Sequence, residues 1–364
     1  MNTSSTVPPG GEGPGSAASS RDARRGLSRR GFAGAAAATA ISVAGGSTAT
    51  AAAAARPRPS ATGSVATSPR LPAGFARRFR SRFIRAGGLR QHAVIGGDGP
   101  PLLLVHGWPE NWYAWRLLMP ALARDFEVIA VDQRGIGLTD RPRGGYDTAT
   151  LAGDLVALMD ALGHRRFAVA GHDTGFIIGY ALAADSPQRV ARVALAEVPG
   201  PPSRTATPPM FVPEAINKKL WHIPFNRADT VAEHLVRGRE DFFFGYEFAN
   251  QGGPPLPRHV IRYYVRLLRC DPDALRGSFA FYRAWDATLD QNEERRKQRL
   301  SMPVLAIGGA ASWGAQPGLA MQALADDVQS LVVPGAGHWV AEQAPQRLLA
   351  ALTAFLAPYR DGKD

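Results

Sequence analysis

The segment Gly171-His172-Asp173-Thr174-Gly175 follows a short apolar run, Phe167–Ala170, and precedes a helix-period segment that begins near Phe176. A sharp strand-to-helix turn needs small flanking residues, and it lifts the central side chain above a sheet at the amino terminus of a helix. Asp173 would then point into a cavity with the positive end of the helix dipole beneath it, an ionised carboxylate available for attack. Aspartate is also a good helix cap, so the pentapeptide alone leaves both readings open. Near the carboxyl end, Pro334-Gly335-Ala336-Gly337-His338-Trp339 sets an imidazole on a Gly-rich loop after another apolar run. Imidazoles titrate near neutrality, which suits proton transfer; a satisfied structural histidine is the competing reading.

Side chains so far apart in the chain need a scaffold. Apolar runs at Pro101–Val105, Phe126–Val131, Phe167–Ala170, Val190–Ala196, Pro303–Ile307 and Leu331–Val333 are short and bounded by Gly, Asp or Pro, as buried parallel strands are. Helix-period segments lie between several of them, among them Trp112–Ala123, Thr148–Leu162, Phe176–Ala184, Gly318–Ala325 and Ala344–Leu356. The alternation implies an α/β class, with a doubly wound, mostly parallel sheet covered by helices on both faces. Residues 200–300 break it with Pro-rich segments around aromatic helices, which reads as an inserted helical cap over a core of residues 75–199 and 301–364. A cap over the carboxyl ends of the strands closes a cavity and excludes water.

Taken together the motifs resemble the α/β-hydrolase superfamily, and within it the epoxide hydrolases and dehalogenases, over about Phe79 to Tyr359. Gly171–Gly175 looks like the nucleophile elbow, with Asp where esterases carry Ser. A carboxylate that attacks an ester carbonyl gives a labile anhydride, whereas attack on a saturated carbon gives an ester that water can cleave, so Asp173 selects epoxides or alkyl halides. His106-Gly107-Trp108-Pro109-Glu110 resembles the family's HGxP turn, which implies an oxyanion hole from the backbone N–H groups of Trp108 and Thr174. His106 then reads as a structural residue that fixes the loop. Asn111–Arg116 and Asp132–Asp140 continue the likeness. The resemblance makes His338 the base that activates water against an ester on Asp173.

Many epoxide hydrolases take their triad acid from the loop after the strand that here is Pro303–Ile307, but this chain reads Gly308-Gly309-Ala310-Ala311-Ser312 there. Some dehalogenases take it from the end of the preceding strand, where Glu197 stands, so Glu197 is the expected partner of His338; its bland alternative is a solvated residue at the cap entrance. In the cap, Phe281-Tyr282-Arg283-Ala284-Trp285 resembles the segment whose Tyr donates to the epoxide oxygen, which makes Tyr282 the candidate acid. The position of a first cap tyrosine carries His222, whose imidazolium could donate to an epoxide oxygen or hold a halide. Plain cap packing is the alternative for both. Haloalkane dehalogenases put Trp after the nucleophile and fluoroacetate dehalogenases put Arg there; Thr174 fits neither and favours an epoxide, while Glu197 and His222 resemble the dehalogenase pattern. Halide release from a haloalkane or haloacid is therefore a second reading, and a non-catalytic ligand binder on the same fold a third.

Composition narrows the classes further. The formal net charge of +11 suggests nucleic acid until its distribution is seen: residues 1–55 hold five Arg against Glu12 and Asp22. Arg77, Arg78, Arg80, Arg82 and Arg85 alternate with Phe75, Phe79 and Phe83, which fits a strand burying Phe79 and Phe83 on one side better than an RNA-binding arm. No nucleic-acid partner is expected. Residues 1–55 read as a disordered start and a twin-arginine export signal, with Arg29-Arg30 ahead of an Ala-rich run and cleavage after about Ala51 to Ala55. Residues 56–74 read as a flexible linker. A periplasmic or extracellular location follows, with the export machinery as partner. Cys270, the single cysteine, rules out an intrachain disulfide and is expected as a small helix-packing residue. No cofactor or metal is expected: the chemistry requires only water and a small apolar epoxide or halide, and aromatics such as Trp221, Phe225, Phe242, Phe243, Phe244 and Tyr246 suggest an apolar pocket.

Overall fold

The computed structural model describes residues 62–206, 209 and 211–363, so the expected export signal lies outside the described residues. Strands β1 (Arg80–Ala86), β2 (Leu89–Gly96), β3 (Pro101–Val105), β4 (Glu127–Val131), β5 (Phe167–His172), β6 (Val190–Ala196), β7 (Val304–Gly309) and β8 (Val328–Val333) form one sheet in the order β1-β2-β4-β3-β5-β6-β7-β8. β2 runs antiparallel to both β1 and β4, and every other pairing is parallel. β5, β6 and β7 are buried from end to end and β3 and β4 over all but their first residue, as a parallel sheet covered on both faces demands. The helix Thr174–Asp185 packs on β5 and β6, Gln316–Gln322 on β7 and β8, and Pro345–Arg360 on β6.

The sheet edges depart from expectation. Phe79 is buried, but Phe83 on edge strand β1 is 44% exposed, with the Arg90 guanidinium 4.7 Å from its ring centre and the His92 ring tilted against it at 5.1 Å. An edge strand has a partner on one side alone, and here a cation lies over the aromatic face where a strand burying both rings was expected. β2 has no counterpart among the expected runs because Gln91 and His92 interrupt its apolar pattern; both are buried, Gln91 donating to the Asp154 carbonyl at 2.8 Å and His92 Nδ1 to Asp132 at 2.7 Å. The β1–β2 hairpin turns on Gly87-Gly88, with φ of 57° and 76°, the two positive values that a two-residue turn of this hand requires. β8 begins earlier than Leu331 because it is the other edge and tolerates the exposed Gln329 and Ser330.

The expected linker at 56–74 is corrected over its described part. The Gly63 carbonyl accepts from Trp112 Nε1 at 2.7 Å, the Pro69 carbonyl accepts from the Tyr113 hydroxyl at 2.6 Å, and Ser68 Oγ lies 2.8 Å from the Tyr263 hydroxyl. Side chains scattered from 112 to 263 pin this segment, and nothing in its own composition announces them. Cys270 is corrected as well: it lies exposed after the helix Arg258–Arg269, donating to the Leu267 carbonyl at 3.2 Å.

Between β6 and β7 the described residues form short helices, including His222–Arg227, Val231–Val236, Glu240–Asn250, Pro272–Arg283 and Trp285–Arg295. Polar ties fix them to the core: Arg295 pairs with Asp185 at 2.5 Å, Thr148 Oγ1 donates to Gln291 Oε1 at 2.9 Å, and Trp108 Nε1 donates to Ser278 Oγ at 2.7 Å. These elements lie over the ends of β5 and β6, where the candidate chemistry sits.

Candidate active site

The chain turns sharply between β5 and the helix Thr174–Asp185, and Asp173 takes the strain with φ 53° and ψ −115°. A Cβ on Gly171 would collide with the Gly175 carbonyl and one on Gly175 with the Val105 carbonyl, so the small flanking residues are a packing requirement. The Asp173 side chain makes no capping hydrogen bond, which removes the helix-cap reading. Its Oδ1 instead accepts the Trp108 N–H at 2.8 Å, and its Oδ2 lies 3.5 Å from His338 Nε2. Thr174 heads the helix directly behind it, its hydroxyl within 3.3 Å of Gln133 Nε2.

Behind His338 stands Glu197, just past β6, with a positive φ of 60° and no exposed surface. One carboxylate oxygen accepts the Gly309 N–H, and the other accepts from His338 Nδ1 at 3.0 Å. A fully buried carboxylate is not the solvated residue of the bland reading. With Nδ1–H held by Glu197, the lone pair of His338 Nε2 faces Asp173, the orientation a base needs to take a proton from water.

Two further groups support this arrangement and were given no role in the sequence. Beside Asp173, His172 donates from Nδ1 to Glu110 at 3.1 Å and from Nε2 to the His338 carbonyl at 2.8 Å, all three residues buried. Burial works to lower the His172 pKa, but the hydrogen bond and charge of Glu110, with Asp173 and the His338 carbonyl adding, carry it up to about 9. A cationic His172 thus ties the base loop to the elbow. Both residues sit inside quoted motifs, yet their pairing spans 62 positions and leaves no local signal. His106 is a loop anchor, donating from Nδ1 to the Gly107 carbonyl at 2.8 Å and accepting the Gln133 N–H at 3.2 Å. Burial lowers its pKa, which suits that neutral role.

Above Asp173 lies a cavity of about 290 Å³ whose lining includes Trp108, His222, Tyr282, Trp285 and His338. Trp108 joins floor to cap: its N–H reaches Asp173, His222 stacks on its ring at 4.8 Å, and Tyr282 meets it edge-on at 5.3 Å. Tyr282 also meets His222 edge-on at 5.4 Å. Burial, with the charges of Asp173 and Glu247 beside it, pushes the Tyr282 pKa far up, so its hydroxyl remains a donor. Of the six aromatics expected around a pocket, Trp221, Phe225, Phe242, Phe243 and Tyr246 line a separate hollow on the cap, not this cavity. Among the described residues no group of three or more His, Cys, Asp or Glu is arranged to hold a metal.

The fold and site define an α/β-hydrolase, and the chain belongs to the alpha/beta hydrolase fold family, whose model matches residues 100–345. Within that family its likeness is to hydrolases of the epoxide-hydrolase type. A soluble epoxide hydrolase of Corynebacterium sp. is 32% identical over 277 residues, spanning 75% of this chain and 96% of the relative. A fluoroacetate dehalogenase of Burkholderia sp. is 29% identical over 309 residues, spanning 78% and 96%. Among solved structures, Cfl2 of Burkholderia cenocepacia superposes with a TM-score of 0.74 at 33% identity, covering 79% of this chain and 97% of that one.

Proposed function

We propose that the protein opens epoxides to diols through an alkyl ester on Asp173. Oδ1 stays on the Trp108 N–H, and Oδ2 attacks the less hindered ring carbon. The ring C–O bond breaks, and its oxygen takes a proton from Tyr282 or His222. Water then gives a proton to His338, oriented by Glu197, and attacks the ester carbonyl carbon, while the N–H groups of Trp108 and Thr174 receive the developing oxyanion. Collapse releases the diol and restores the carboxylate, and the proton taken up by His338 returns to the cap donor.

The observation that carries this reading is the bare Asp173 carboxylate, uncapped at a helix start, 3.5 Å from an imidazole backed by a buried glutamate. Thr174 in place of a halide-gripping Trp or a carboxylate-binding Arg favours the epoxide over a halide. The test is the purified enzyme against a panel of epoxides and a panel of haloalkanes and haloacids. Diol without halide is expected; halide release supports the dehalogenase reading. His338→Gln should accumulate an ester on Asp173 visible by intact mass, and a ligand binder without turnover would show none. The same proposal includes export through Arg29 and Arg30: replacing both with Lys should retain precursor in the cytoplasm.

A further inference from the structure

Glu247 lies on the cap helix Glu240–Asn250 and reaches the active-site cavity, almost wholly buried. One of its oxygens accepts from Gln251 Nε2 and lies 3.1 Å from His222 Nδ1; the other is buried with no hydrogen-bond partner among the described residues. The His222–Glu247 contact is within ion-pair distance but out of line for a hydrogen bond. A carboxylate taken out of water is costly unless a cation stands beside it, and His222 is its one ion-pair partner among the described residues.

We infer that Glu247 is a positioning residue that keeps His222 doubly protonated, Nδ1 toward the carboxylate and Nε2 left to donate to the oxygen of the opening ring. This rests on the epoxide reading above. In the step it supports, Asp173 Oδ2 bonds to carbon and the ring C–O electron pair goes to oxygen. That oxygen takes the Nε2 proton, leaving a neutral His222 whose remaining proton faces Glu247. The proton released when water cleaves the ester returns to His222, so the cycle balances. Tyr282, edge-on to His222, differs as an acid: it is a neutral hydroxyl whose proton burial and the charges of Asp173 and Glu247 hold in place, whereas His222 would act as the cation of an ion pair.

The groups facing His222 are few. Tyr282 comes from Pro272–Arg283, Glu247 from Glu240–Asn250, and Asp173 and His338 from the floor. Lys219 and Arg296 share the cavity wall, Lys219 5.3 Å from the Trp313 ring centre. From Val231–Val236, Glu233 is taken by Arg283 at 2.6 Å and His234 is exposed. Glu247 is thus the carboxylate in contact with the imidazole.

Two measurements test the inference. Nitrogen-15 NMR of the ring nitrogens, with His222 assigned through its loss in His222→Gln, should find both protonated at neutral pH in the wild type and one in Glu247→Gln. Rapid quench with styrene oxide should find adduct formation on Asp173 slowed about tenfold or more in Glu247→Gln above neutral pH, less so in acid, and partly recovered in Glu247→Asp. A neutral His222 in the wild type, or equal protonation in the two proteins, overturns the inference, as does an equal loss of rate at every pH. Absence of any adduct in the wild type sinks the epoxide reading instead, and leaves the NMR result to decide the role of Glu247 by itself.

Discussion

Glu197 reaches His338 through one oxygen and a backbone N–H through the other, so its removal and its neutralisation have different consequences. In Glu197→Gln the amide oxygen can keep the Gly309 N–H while the amide nitrogen, a donor, faces His338 Nδ1. That forces the ring proton onto Nε2, where it points at Asp173 and cannot accept from water. Ester hydrolysis should fall by about a hundredfold or more, while the burst of adduct formation survives, because attack draws on Asp173 and the cap donors and not on His338. Steady-state and pre-steady-state rates on one epoxide check this; equal loss in both phases contradicts it. Asp173→Ala should abolish turnover with the melting temperature little changed, since the carboxylate caps nothing. Diol formation near the wild-type rate would remove Asp173 from the chemistry.

At the scale of elements, the loop carrying His338 is held to the elbow by the buried His172–Glu110 pair. The His172 pKa is raised in the folded state, to about 9 against an ordinary 6.5. The proton it retains therefore stabilises the fold fully below about pH 6.5, and that contribution is lost as pH rises through 9. The loss should amount to about 3 kcal/mol across the window. Urea unfolding at a series of pH values measures it, and Glu110→Gln should be less stable at pH 6 and flatten the slope; a wild-type curve flat from pH 6.5 to 9.5 would exclude the linkage. The sequence showed this element only in part. Asp173 and His338 were legible because a tight turn and a Gly-rich loop are local patterns, and Glu197 because the other acid position held no carboxylate. The partners that hold them were not, because His172 with Glu110 and His222 with Glu247 meet through the fold and are separated by dozens of residues.

For the molecule as a whole, the alternation of apolar runs and helical segments identified the parallel centre of the sheet, where burial on both faces writes hydrophobicity directly into the chain. It failed at the margins for the same reason: β2 buries Gln91 and His92 through hydrogen bonds, and the β1 edge leaves Phe83 under a guanidinium. The cap was legible as a break in the pattern, and Tyr282 and His222, named from the sequence, line the cavity, but the placing of Trp221, Phe225, Phe242, Phe243 and Tyr246 around a separate hollow was not legible. The proposed covalent route makes one demand on the reaction in the cavity roofed by Tyr282 and His222: the oxygen that water supplies must enter through Asp173. With enzyme in excess over styrene oxide in heavy-oxygen water, a single turnover should leave the label on the Asp173 peptide and none in the diol. Label in the first-turnover diol with an unlabelled Asp173 would mean that water attacks the epoxide carbon directly, and would contradict the covalent route.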